Sequence, residues 1–104
     1  MLFTSLCCYY GNSGELWLVL RDHASLGAFP YVGPRTIQQC LDYCNNQINC
    51  VAVDIDVNKV PLGCWIHASS SDLSSDNTFN QPGTNQYVAV QKTPNKSGEI
   101  GRSY

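Results

Sequence analysis

The sequence predicts an α+β domain in which one helix packs on an antiparallel sheet of about five short strands, stapled by disulfides. Three observations predict it. One segment, Thr36 to Asn46, carries helical periodicity. Short runs rich in β-branched and aromatic residues, separated by Gly, Pro and Asn turns, lie on both sides of it. Six of the 104 residues are cysteines, at positions 7, 8, 40, 44, 50 and 64, well above cytosolic usage. A chain of this length forms one domain and buries about two thirds of its unfolded surface, leaving a thin core that cross-links reinforce.

The elements follow in chain order. Residues 1–14 hold the adjacent cysteines, two tyrosines and a Gly-Asn-Ser-Gly turn, and are read as an N-terminal segment outside the main domain, which spans 15–92. Glu15 to Asp22 (ELWLVLRD) reads as a strand buried on both faces near its middle. Ala28 to Pro34, with two prolines and a glycine, reads as an irregular loop or edge segment. In the helix, Thr36 and Gln39 form a capping-box signature, each side chain satisfying the other's free backbone N–H. Ile37, Cys40, Leu41 and Cys44 then make one apolar stripe at i, i+3, i+4, i+7, so both cysteines face the core.

Cys50 to Val57 alternates with period two. Val51, Val53, Ile55 and Val57 share the buried face, and Ala52, Asp54 and Asp56 share an outward, solvated one. A turn over Asn58 to Gly63 leads to a short antiparallel strand, Cys64 to Ala68 (CWIHA). Ser69 to Gly83 reads as a polar loop, long enough for a functional role. Tyr87 to Gln91 is the last strand, and residues 93–104 read as a polar tail or linker.

Four cysteines have positions that select partners. Cys44 ends the helix and Cys50 opens the next strand, so a Cys44–Cys50 bridge staples the turn between them. Cys40, one helical turn earlier on the same face, then reaches the neighbouring strand at Cys64. The alternative is a zinc-stabilised intracellular interaction domain, with Cys40, Cys44, Cys50, Cys64 and His67 as candidate ligands. Structural zinc sites favour close C-x₂-C pairs, whereas the closest spacing among these four is C-x₃-C on a helix, which favours disulfides.

Charge narrows the partners. Charged residues make up 13% of the chain, the net charge is −2, and no run of either sign occurs. Nucleic-acid binding draws its affinity from clustered Lys and Arg, so it is excluded as a leading function. The longest strongly apolar stretch, Leu16 to Leu20, is far short of the ~20 residues of a spanning helix, so no membrane insertion is expected. The N-terminus lacks the basic region of a signal peptide, and the expectation is a module of a longer secreted or cell-surface protein. Asn95 heads the single N-x-S/T sequon and is a glycosylation candidate.

No constellation calls for catalysis, and no cofactor is expected. His67 follows Trp65 by two residues and shares its strand face; a histidine so placed most often packs and hydrogen-bonds at a structural corner. A Cys–His dyad is disfavoured because an oxidised cysteine offers no thiolate. Asp54 and Asp56 most often represent a solvated strand face. A hydrolytic role requires His67 to converge with them within hydrogen-bond reach.

The string Thr36, Cys40-x₃-Cys44-x₅-Cys50, Val53-Asp54, Cys64-Trp65-Ile66-His67 and Gln86-Tyr87 resembles the PAN/apple domain family over residues 17–92. The resemblance implies a helix cradled by a curved antiparallel sheet, with Cys40–Cys64 and Cys44–Cys50 as the two core bridges. It also implies a non-catalytic module that binds an extracellular protein or a glycan. Exposed aromatics beside amides suit such binding, and the candidate residues are Tyr31, Trp65, His67 and Phe79, with Ser69 to Gly83 at the rim. Cys7 and Cys8 depart from the family pattern, because no cysteine follows Cys64 to receive either. Pairing outside the module or free thiols are expected over an awkward vicinal bridge.

Overall fold

The computed structural model describes residues 7–33 and 36–94. In chain order these form β1 (Cys7–Tyr10), β2 (Leu16–Leu20), β3 (His23–Ser25), β4 (Phe29–Pro30), α1 (Ile37–Asn46), β5 (Ala52–Asp56), β6 (Gly63–His67), a 3₁₀ turn (Ser70–Leu73), β7 (Thr78–Asn80) and β8 (Thr84–Gln91). Among the described residues, six strands build an antiparallel sheet in the order β1-β2-β8-β5-β6-β4, and β3 pairs with β7 as a separate two-stranded sheet. The fold is the expected α+β arrangement, with one helix on an antiparallel sheet and two disulfides.

The helix begins as its sequence dictates. Gln39 N donates to Thr36 Oγ1 at 3.1 Å and Thr36 N to Gln39 Oε1 at 3.3 Å, closing the capping box. Its inner stripe packs on the centre of the sheet, where Trp17, Cys40, Leu41, Cys44, Cys50, Val53, Ile55, Cys64, Ile66 and Tyr87 form the core. Two disulfides cross this layer, Cys40–Cys64 and Cys44–Cys50, as the positions of the four cysteines predict. With all four sulfurs oxidised, none remains as the thiolate a zinc site needs.

The helix C-terminus is held by the chain that follows β8. Asn45, 1% exposed, exchanges two 2.8 Å hydrogen bonds with the Thr93 backbone. Lys92 Nζ donates to the carbonyls of Gln47 and Cys50, placing positive charge just past the helix C-terminus. Desolvation lowers the Lys92 pKa.

At the other end, Tyr9 of β1 donates to Gln38, whose amide donates in turn to Glu15 and Asp42. Glu15 is fully buried beneath Gly11, where a Cβ would come within 1.9 Å of its carboxylate. The sequence reading named no element for Cys7–Tyr10, which forms the edge strand β1. Cys8 is disulfide-bonded, so a free thiol at that position is corrected. The side chain of Cys7 and residue Asn95 lie outside the described residues.

The sheet is covered on its second face as well. Ala52 to Ile55 are all buried, which corrects the expectation of a half-solvated strand. The cause is the β3–β7 sheet and the 3₁₀ turn, which lie over Asp54, His67 and Gln86. The segment read as a polar loop, Ser69 to Gly83, therefore supplies part of a third layer.

Candidate functional site

Strand alternation sets the chemistry of the second face. Val53, Ile55, Cys64 and Ile66 point to the helix, so Asp54, Asp56, Gly63, Trp65 and His67 point away from it. The cross-strand register places Asp54 opposite Trp65, Ala52 opposite His67 and Asp56 opposite Gly63. From β8, Gln86 falls beside Asp54 and Thr84 beside Asp56.

A buried polar network forms at one end of this face. His67 is fully buried; its Nε2 lies 2.8 Å from Asp54 Oδ2 and its Nδ1 3.0 Å from Asp72 Oδ2. Asp54 also accepts from Ser25 N at 3.0 Å and from Gln86 Nε2 at 2.8 Å, and Ser25 Oγ pairs with Thr78 Oγ1 at 2.7 Å. Burial pulls the His67 pKa down, but the hydrogen bonds and charges of Asp54 and Asp72 outweigh it, and the net shift is upward from 6.5. Both ring nitrogens lie within hydrogen-bond distance of a carboxylate oxygen, an arrangement that favours the protonated ring. His67 and Asp54 do converge within hydrogen-bond reach, and both ring nitrogens are already engaged by Asp54 and Asp72. What the pair does is tie β5, β6 and the 3₁₀ turn together.

Beside the network the layers part to leave a cleft of about 310 Å³. Its walls include Trp65 and Phe79, its floor reaches Asp54 and Asp56, and Ser25, Gln81 and Thr84 add polar groups. Trp65 is half-buried and Phe79 is 41% exposed. Gly63 makes room for the indole, since a Cβ there would come within 2.5 Å of Trp65 Cζ3. Gly27, with φ +98°, lets the β3–β4 loop close over Asp72, where a Cβ would meet the carboxylate at 2.5 Å.

The structure thus brings together Trp65 and Phe79, whereas His67 does not line the cleft and reaches it only through Asp54. Tyr31 lies elsewhere. It stacks on Tyr43 with ring centroids 3.9 Å apart, on the helix side of the sheet, in a groove shared with Gln39, Asp42 and Asn46. Sequence reasoning missed Ser25, Asp72 and Gln86. Asp72 and Ser25 sit in stretches without hydrophobic periodicity, and their roles come from hydrogen bonds that no apolar pattern announces. Comparison of the chain with family models, with characterised proteins and with solved structures finds no match.

Proposed function

We propose that this chain is a non-catalytic recognition module of the PAN/apple type, acting outside the cell and binding a protein or a glycan through the Trp65–Phe79 cleft. The observation that carries the reading is the cleft itself. Two partly exposed aromatic rings face a polar floor on a scaffold cross-linked by two disulfides. Aromatic walls with a few convergent polar groups are the usual make-up of a ligand site. The disulfides are compatible with an oxidising compartment, and among the described residues no helix is long and apolar enough to cross a membrane. The order of elements, the Cys40–Cys64 bridge from helix to sheet and the Cys44–Cys50 bridge across the turn before β5 support the family assignment. Doubly bonded His67 supports the non-catalytic reading.

The test is a glycan array run beside a panel of purified extracellular-matrix proteins, with wild-type protein and the Trp65→Ala and Tyr31→Ala variants. Binding lost in Trp65→Ala and kept in Tyr31→Ala is the expected result. Retention by Trp65→Ala with loss in Tyr31→Ala would move the site to the helix side.

A further inference from the structure

The cleft carries a charge pattern that selects among its ligands. Asp54 and Asp56 line it, and Asp72 lies directly behind Gly27 at its wall. Against these three carboxylates the surrounding elements set His67 from β6, which is committed to Asp54 and Asp72, and Lys59 at the rim. Asp54 is saturated by Ser25, Gln86 and His67. Asp56 is not. Its Oδ1 accepts from Asn58 N at 2.9 Å, and among the described residues Oδ2 takes no protein hydrogen bond.

A second observation points the same way. Lys59 Nζ sits over the Trp65 ring, 5.6 Å from its centroid. An indole face is the best aromatic surface for a cation, and here the chain's own ammonium already occupies it. Lys59 belongs to the exposed β5–β6 turn, and neither of the two remaining Lys/Arg residues among those described, Arg21 and Lys92, lines the cleft.

We propose that the cleft binds a lysine or arginine side chain of a protein partner, the alkyl stem lying against Trp65 and Phe79 and the cationic head bonding Asp56 Oδ2. Lys59 is then an internal competitor for the same ring. This rests on the recognition reading above and chooses the protein over the glycan. A neutral sugar would use the rings and amides equally well but has no cation for Asp56, whose Oδ2 takes no hydrogen bond among the described residues.

Calorimetric titration distinguishes the two. The probes are a short neutral peptide carrying one lysine, the same peptide with arginine or with glutamine, and a panel of neutral disaccharides. The lysine and arginine peptides bind and the glutamine peptide does not. Asp56→Asn weakens binding about tenfold, the scale of one charge-assisted hydrogen bond. Lys59→Gln strengthens it about two- to fivefold by vacating the indole face. Thermal unfolding of each variant controls for the fold, and Lys59→Gln, a surface change that gains function, cannot mimic misfolding. Equal binding of the lysine, arginine and glutamine peptides, or none, overturns the proposal. Disaccharide binding lost in Trp65→Ala would overturn it while leaving the recognition reading in place.

Discussion

Asp54 Oδ2 and His67 Nε2 lie 2.8 Å apart between two layers of the protein, with the side chains 4% and 0% exposed. The pair spans adjacent strands, and Asp72 extends it to the 3₁₀ turn that helps close the second face. A charged pair this deep is held in place by its remaining hydrogen bonds, and removing one partner strands the other. His67→Leu leaves the buried Asp54 carboxyl without its histidine partner, and urea unfolding should show a loss of about 3–5 kcal/mol. The double variant Asp54→Asn/His67→Leu should lose less than the sum of its two single variants. Two losses that simply add would contradict the coupling.

Stability should also follow pH in a defined direction. His67 binds its proton more tightly in the folded state, because Asp54 and Asp72 raise its pKa above 6.5. Its contribution is complete below about pH 6.5 and is lost as pH rises through the raised folded value. Thermal midpoints of wild type should therefore fall relative to His67→Gln as pH climbs above about 6.5. Parallel profiles for the two proteins would contradict this.

The two bridges should contribute unequally. Cys40–Cys64 spans 24 residues and Cys44–Cys50 spans 6. Loop entropy assigns them about 3 and about 2 kcal/mol respectively. Paired Cys→Ala variants, compared by denaturant midpoint, should rank in that order.

Asn45 should act as a clamp. Its amide mimics a backbone partner for Thr93, and Asn45→Ala leaves the buried end of that contact unpaired, a loss of about 1–3 kcal/mol. Hydrogen exchange at the Thr93 amide should accelerate in the variant by more than at the strand centre near Tyr87.

The legible part of this fold is the part written in apolar periodicity. Ile37, Cys40, Leu41 and Cys44 announce a helix and its inner face, and Val53 and Ile55 announce the strand they pack on. The cysteine pairing follows from those faces. The third layer is written differently. Ser25 pairs with Thr78 and Asp72 with His67, polar contacts that leave no apolar period in the sequence. Asp54 reads as a solvated residue because alternation tells which face it occupies and not what covers that face. Trp65 and Phe79 were legible as candidates by type, but their meeting across 14 residues of chain depends on that unseen layer. Tyr31 looked equivalent to them by type and sits on the opposite side of the sheet.

The two tryptophans make the site directly measurable. Trp17 is fully buried in the core, whereas Trp65 lines the cleft. In a ¹H–¹⁵N spectrum each gives its own indole N–H signal, assignable with Trp65→Phe. Addition of a ligand selected by the array or the protein panel should shift the Trp65 indole together with the amides of Gly27, Phe79 and Gln81, and leave the Trp17 indole unmoved. Shifts confined to Tyr31, Gly33 and Tyr43, with Trp65 unchanged, would contradict the cleft as the recognition site.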